Sequence, residues 1–167
     1  KSIRSLIDLS FRHDKRDSII KPTKGYMIKL GSEIAGLGGD EQFVKTEASG
    51  KIYQGIYGNN IIFSTELEGG ILTMGKGYSK IVDRFQLGGR SFRGFKYSGI
   101  GPRELSGGAY TIPLGGEKYA IARLAASFPL GLPRELGLFG SVFAEAGTLW
   151  GLKTDPNVSG LSSKIAL

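Results

Sequence analysis

The sequence predicts an all-β chain, an antiparallel meander of long strands that forms part of a transmembrane β-barrel. Three observations carry this prediction. Apolar and polar residues alternate with period two through several runs. The runs exceed the roughly 5–6 residues of an average soluble strand and match the about 9–11 that a tilted membrane-crossing strand needs. The connections alternate between compact turns and looser segments, the pattern of barrels with short turns at one end and longer loops at the other.

The first run, 3–11, sets Ile7, Leu9 and Phe11 against Asp8, Ser10 and Arg12. The second, 26–37, sets Tyr26, Ile28, Leu30 and Ile34 against Lys29 and Glu33. In the third, Val44, Thr46, Ala48 and Ile52 oppose Lys45, Glu47, Ser49, Lys51 and Tyr53, and Tyr57-Gly58-Asn59-Asn60 then supplies hairpin-turn chemistry. The fourth, 61–74, is the cleanest: Ile61, Phe63, Thr65, Leu67 and Ile71 on one face, Ser64, Glu66, Glu68 and Gly70 on the other. Lys45, Glu47, Lys51, Glu66 and Glu68 are expected to line a wet interior and to do no chemistry.

A loop over 75–116 follows, far above the usual connection length, which points to function, and its aromatic and glycine content argues for order. The fifth run, 119–128, places Ala120, Ala122, Leu124 and Phe128 opposite Arg123 and Ser127. In the sixth, 136–149, Phe139, Ser141, Phe143, Glu145 and Gly147 share one face while Leu138, Val142 and Ala144 share the other. A charge facing lipid costs up to about 2–4 kcal/mol for basic residues and somewhat less for carboxylates, so Glu145 is expected to point inward. A seventh strand is expected to start near Lys164.

Connections 14–23, 58–60 and 131–135 are compact or proline-anchored, whereas 36–41, 75–116 and 151–163 are looser, which puts 75–116 on the outer side. Tyr26, Tyr53, Tyr57, Tyr119 and Trp150 fall near strand ends, where either an interfacial aromatic girdle or ordinary strand propensity accounts for them.

Composition narrows the function classes. A mean hydropathy of −0.07 fits a soluble domain, but it also fits a barrel, where lipid-facing and interior residues alternate and their hydropathies cancel. No apolar run of helix-spanning length exists, which excludes a spanning helix and leaves a barrel open. With no cysteine, disulfides, thiolate nucleophiles and Cys-ligated zinc are excluded. His13 is the only histidine, so a His cluster or a Ser-His-Asp triad within the chain is excluded too, and His13 itself reads as an exposed turn residue. The net charge of +7 is spread among nearby acids and marks no nucleic-acid partner. Neither phosphate-binding glycine motif is present, and no carboxylate pair has an acid–base arrangement. The expectation is no enzyme, no cofactor and no metal.

The chain opens in one strand and closes in another at Ser162 to Leu167, so 1–167 reads as an internal piece of a barrel domain with no periplasmic domains in it.

The stretch Asp83-Arg84-Phe85-Gln86-Leu87-Gly88-Gly89-Arg90-Ser91-Phe92-Arg93-Gly94-Phe95, followed by Gly99-Ile100-Gly101-Pro102-Arg103, resembles the long outer loop of the BamA family, in the bacterial surface antigen barrel superfamily. Asp17 to Gly25, with its Pro22-Thr23-Lys24-Gly25, is similar to a periplasmic turn of that family, as Phe128-Pro129-Leu130-Gly131-Leu132-Pro133 is to a later one. Phe143-Ala144-Glu145-Ala146-Gly147-Thr148-Leu149-Trp150 is similar to the strand that follows.

The resemblance implies a sixteen-stranded barrel, of which this chain supplies about the eighth strand to the start of the fourteenth. It also implies that the loop folds back inside, with Arg93 of the tetrad Phe92, Arg93, Gly94, Phe95 latched to Glu145. Gly88 and Gly89 let the backbone turn and approach its neighbours, Gly101, Pro102 and Arg103 form the exit, and Phe92 and Phe95 wedge the loop against inward side chains. Two positions depart from the family pattern: Glu stands at 145 where Asp is usual, and Phe at 92 where Val is usual. The extra methylene at 145 implies a longer or re-angled contact.

The function implied is assistance in folding and inserting β-barrel proteins into the outer membrane of a Gram-negative bacterium, without cofactor. Its implied partners are unfolded outer-membrane β-barrel proteins, accessory assembly lipoproteins and outer-membrane lipid. The alternatives are a secretion or translocation pore of the same superfamily gated by the 75–116 loop, a barrel anchor for a soluble enzyme domain, and a soluble β-sandwich binding module.

Overall fold

Period-two alternation gives each long strand two chemically different faces, and antiparallel pairing of successive strands collects like faces together. The structure, a computed structural model, describes residues 5–36, 42–58, 60–75, 78–106, 109–131 and 138–152. The strands in chain order are β1 (Leu6–Asp14), β2 (Lys24–Ala35), β3 (Phe43–Ile56), β4 (Ile61–Met74), β5 (Arg103–Ser106), β6 (Ala109–Pro113), β7 (Lys118–Pro129) and β8 (Phe139–Trp150). Six of them form one sheet in the order β1-β2-β3-β4-β7-β8, every pair antiparallel. The hairpin β5–β6 stands apart as a two-stranded sheet within the long connection from β4 to β7.

Five of the six sheet strands run for 12 or 14 residues. At about 3.3 Å per residue and a tilt near 45°, such a strand covers roughly 28 Å along a membrane normal, against a hydrocarbon core of about 30 Å.

Register separates the two faces. On one, Phe11, Leu30, Ile52, Leu67, Leu124 and Val142 are exposed across the whole width of the sheet. A soluble monomer rarely leaves more than a few hundred Å² of contiguous apolar surface bare, and lipid is the solvent this face suits. On the other face, Lys51 pairs in register with Glu66, Glu66 with Arg123, and Arg123 with Glu145.

The core lies on this second face, toward the end where β4 leaves and β7 enters. Phe43, Leu72, Tyr119, Ile121 and Leu149 of the sheet are buried against Phe85, Leu87, Phe92 and Ile100 of the loop. Each of the loop's four apolar side chains contributes about 1.5–3 kcal/mol by being covered, which holds the loop down. The loop also pairs with itself: Phe85 and Gly116 exchange backbone hydrogen bonds of 2.9 and 3.0 Å, and Ile100 N–H donates to the Leu87 carbonyl at 3.2 Å. Gly70 of β4 leaves the room this packing needs, since a Cβ there would lie 2.5 Å from Tyr119 Cε1 and 2.8 Å from Phe85 Cζ.

Several expectations are corrected in detail. β1 runs on to Asp14, so His13 lies within a strand, its ring centroid 5.8 Å from that of Tyr26, and not in a turn. Tyr119 is not part of a girdle: it is 5% exposed, and its hydroxyl donates to Glu68 at 2.9 Å and Glu47 at 3.3 Å on the charged face. Tyr53 also sits on that face, opposite Ser64 and beside Glu66's partner Lys51, whereas Tyr26 and Trp150 remain exposed. The hairpin β5–β6 was not expected from the sequence. Ile3, Leu37, Asn59, Leu136 and the expected seventh strand from Lys164 lie outside the described residues.

Two carboxylates organise the β1–β2 turn: Asp14 accepts from the Arg16 backbone and guanidinium, and Asp17 gathers the residues that lead into β2. Asp17 accepts the Thr23 hydroxyl at 2.5 Å, the Thr23 N–H at 2.9 Å and the Lys24 N–H at 3.1 Å. The Thr23 hydroxyl, then the Lys24 and Thr23 N–H groups, hold its pKa at about 2, below the ordinary 3.8. Asp17 therefore steadies the turn fully above its unfolded value and ceases to as pH falls from 3.8 to about 2. The Asp17 carboxyl carbon shift, followed by NMR in detergent micelles, is expected to titrate in that lower range. A midpoint at the ordinary carboxylate value would show that the turn does not depend on it.

Candidate functional site

The tetrad Phe92 to Phe95 is shaped by the glycine pair that precedes it. Gly88 has φ 127°, and a Cβ there would lie 2.1 Å from the Lys96 carbonyl oxygen, so no side chain fits. The Ser91 hydroxyl donates to the Gly88 carbonyl at 3.0 Å and accepts the Gly88 N–H at 3.1 Å. Gly89 N–H donates to the Phe95 carbonyl at 2.9 Å and closes the tetrad into a tight bend.

That bend meets the sheet at β8. Phe92 is 2% exposed, packs edge-on against Phe95 at 5.3 Å between centroids, and lies over Gly147, where a Cβ would come within 2.7 Å of its ring. One residue on, Arg93 reaches Glu145. Its Nε donates to Glu145 Oε1 at 2.6 Å, a terminal guanidinium nitrogen lies 2.6 Å from the same oxygen, and its backbone N–H donates to Oε2 at 3.0 Å. The guanidinium carbon also sits 3.6 Å from the centroid of the Phe143 ring.

The two oxygens of Glu145 are thus divided, one to the side chain of Arg93 and one to its backbone. A glutamate at this position does not make a parallel two-pronged contact with the guanidinium. It re-angles so that the carboxylate spans both kinds of donor. The Glu145 side chain is 5% exposed and that of Arg93 50%, so the carboxylate is the covered partner.

Glu145 does not stand alone on the wall. Arg123, its register partner on β7, places Nη1 2.6 Å from Glu68 and 3.5 Å from Glu66, and its Nε 4.0 Å from Glu145. Its remaining terminal nitrogen donates to the Ser91 carbonyl of the loop at 2.6 Å. Lys51 of β3 closes the row on Glu66 at 3.2 Å. Of the acidic residues expected to line the interior, Glu66 and Glu68 are thus structural partners of Arg123, and Glu47 accepts the Tyr119 hydroxyl at 3.3 Å.

The root of the loop has a fastening of its own. The Ser79 hydroxyl donates to Glu117 at 2.8 Å and accepts from Arg84 Nε at 2.8 Å, and Arg84 also donates to the carbonyls of Leu114, at 3.1 Å, and Ser79. Burial pulls the Arg84 pKa below its ordinary value, and the charges of Glu117 and Asp83 oppose that pull. At the exit, Gly101 has φ 111° and lies under Leu149, whose Cδ2 would be 2.4 Å from an added Cβ. The Pro102 carbonyl accepts Leu114 N–H at 2.9 Å, and Arg103 donates to the Ser98 carbonyl at 2.6 Å.

The structure thus brings Phe92, Arg93, Phe95 and Glu145 together, with Gly88, Gly89 and Gly94 as bends, and sets Gly101, Pro102 and Arg103 apart at the loop exit. Sequence reasoning missed Arg123, Tyr119, Arg84 and Glu117. Arg123 carried a usable signal, a lone cation in the inward phase of a long strand. Among the described residues no group of three or more His, Cys, Asp or Glu is placed to hold a metal ion. What this arrangement does is mechanical: it fixes a loop against a wall.

Long strands with a bare apolar face, a charged opposite face and a loop folded onto the latter define a wall segment of a transmembrane β-barrel. The chain belongs to the Omp85 superfamily: the model of the Omp85 superfamily domain matches residues 1–165. It is 38% identical over 145 residues to the sorting and assembly machinery component 50 homolog of Bos taurus, covering 85% of this chain and 30% of that protein. It is 30% identical over 154 residues to the outer membrane protein assembly factor BamA of Neorickettsia risticii, covering 90% of this chain and 20% of that one. Among solved structures, BamA from Haemophilus ducreyi lacking POTRA domains 1–3 superposes with a TM-score of 0.76 at 20% identity, over 86% of this chain and 30% of that one. That likeness establishes the shared fold. The chain therefore spans less than a third of the length of these relatives.

Proposed function

We propose that the parent of this chain assists the folding and insertion of β-barrel proteins into the outer membrane of a Gram-negative bacterium. The chain supplies about the eighth to thirteenth strands, and the start of the fourteenth, of a sixteen-stranded barrel, with 75–116 as its inserted loop. The observation that carries this reading is the loop docked on the wall through Arg93 and Glu145, in a superfamily member whose relatives bear the names of assembly components. A loop fixed in this way serves barrel shape, and barrel shape governs how nascent strands are received at an edge.

The work is physical, with no enzyme chemistry and no cofactor. Its partners are unfolded outer-membrane β-barrel proteins, accessory assembly lipoproteins and outer-membrane lipid, and nucleic acid is not among them. Arg93 and Glu145 form the latch, Phe92 and Phe95 the wedge, and Gly88, Gly89, Gly94, Gly101, Pro102 and Arg103 the bends that present them.

The test is depletion of the full-length parent and complementation by its Arg93→Ala variant, scoring other outer-membrane barrels together with the abundance of the variant. The expected result is a several-fold fall in those barrels while the variant itself remains in the membrane. Normal levels of other barrels under depletion without complementation would end the assembly reading in favour of a secretion pore gated by the loop.

A further inference from the structure

Arg93 is the loop's hold on the wall, and the structure contains a hold in the opposite sense. The inward positions Lys51, Glu66, Arg123 and Glu145 are successive register partners on β3, β4, β7 and β8, and Arg93 of the loop follows them at the end of the row. The signs alternate along this row. Arg123 occupies its middle, with 17% of its side chain exposed, and is the cation through which the wall touches the loop's backbone.

We propose that Arg123 is the positioning residue of the docked loop: it holds the Ser91 carbonyl just ahead of the tetrad, so that Phe92 and Arg93 arrive at Gly147 and Glu145. The inference rests on the loop acting as a latch, and adds a wall-side residue that the family resemblance did not supply.

The geometry depends on the guanidinium fork. One terminal nitrogen is committed to Glu68 at 2.6 Å, and the other is free to donate to Ser91 O at 2.6 Å. A planar fork serves two acceptors at fixed divergence, which an ammonium point charge at the end of a flexible stem does not. A lysine at 123 would follow the charge of Glu66 and Glu68 and leave the Ser91 carbonyl. The wall would keep its cation and the loop would lose its tether. Phe92 is directly next to Ser91 in the chain, so loss of the tether is felt at once by the most deeply buried side chain of the tetrad.

The test uses the full-length parent in detergent micelles and trypsin cleavage after the exposed Arg90 and Lys96 as the readout of undocking. Arg123→Lys is expected to raise the initial cleavage rate about tenfold, the population shift associated with one hydrogen bond to a charged group. Its barrel unfolding temperature, read from the heat-modified gel shift, should stay at the wild-type value. Glu68→Gln, which weakens the wall pair and leaves the Ser91 contact in place, should do the reverse: a lower unfolding temperature with wild-type cleavage.

Cleavage of Arg123→Lys at the wild-type rate, with Arg93→Ala cleaved faster, would overturn the role of Arg123 and leave the latch standing. Wild-type cleavage of both would overturn the latch and this proposal together. A fall in unfolding temperature that accompanies faster cleavage of Arg123→Lys would assign Arg123 to wall stability alone and also overturn it.

Discussion

Valine at Gly147 is expected to expel the loop tip from the barrel wall. A Cβ at this position would lie 2.7 Å from Phe92 Cε2 and 3.2 Å from Cδ2, with the Ala120 carbonyl at 3.3 Å closing off the other side. The Ala120 backbone belongs to the β7–β8 ladder and cannot yield, so the aromatic ring must. Phe92 is 2% exposed, and stripping a buried phenylalanine of its packing costs about 3–5 kcal/mol. At about 1.4 kcal/mol per factor of ten, that shifts the docking equilibrium by a hundredfold or more. Valine suits a strand better than glycine, so β8 itself is not weakened. Trypsin cleavage after Arg90 and Lys96 should therefore rise by about two orders of magnitude or more, while the heat-modified gel shift of the folded barrel persists. Cleavage at the wild-type rate would show that Phe92 does not anchor the tip.

Glu145→Ala is expected to loosen the loop more than Arg93→Ala does, although the two residues form one pair. Arg93→Ala deletes the guanidinium and its contact with Phe143, but the backbone N–H at 93 still donates to Glu145 Oε2. Glu145→Ala removes both the side-chain and the backbone bond, and takes away a carboxylate 4.0 Å from Arg123. A hydrogen bond to a charged group contributes about 1.5–3 kcal/mol, so Arg93→Ala should raise loop cleavage after Lys96 by about ten- to a hundredfold and Glu145→Ala by about ten times more. Glu145→Gln keeps an acceptor for the Arg93 N–H and should fall between them. Equal effects from all three variants would mean that the backbone bond contributes nothing.

Alternation is most legible where one face of a strand is bare and apolar and the other carries polar neighbours. β4 is the clear case, because Leu67 and Ile71 face out while Glu66 and Glu68 face in. Phase alone points Glu145 inward, and the structure sets it beside the loop. The pattern blurs where the inner face is itself covered. Tyr119 and Ile121 point into the loop and Ala120 and Ala122 point away from it, so β7 is apolar on both faces over that stretch and carries little alternation.

Tyr119 shows the same limit in one residue, since an aromatic near a strand end fits a lipid interface or an inner wall until its neighbours across the sheet are known. Arg123 is legible as an inward cation, but its value depends on two registers, which fix Glu66 on one side and Glu145 on the other, and on the loop carbonyl above. Register is a property of strand pairs, and a single strand's composition does not contain it. His13 lies in a strand and not in a turn because β1 continues through Arg12, His13 and Asp14, past Phe11, its last strongly apolar residue.

The side-chain ties described above do not spread evenly around the sheet. Tyr119 links β7 to Glu47 of β3 and Glu68 of β4, Arg123 links it to Glu66 and Glu68, and the loop adds Arg93 on β8. In mechanical terms these four strands and the loop make a braced panel, stiff against shear between neighbours because each slip would break several charged contacts at once. Within this sheet the bracing covers one side: β3, β4, β7 and β8 lie inside it, and β1 and β2 at the other edge lie outside it.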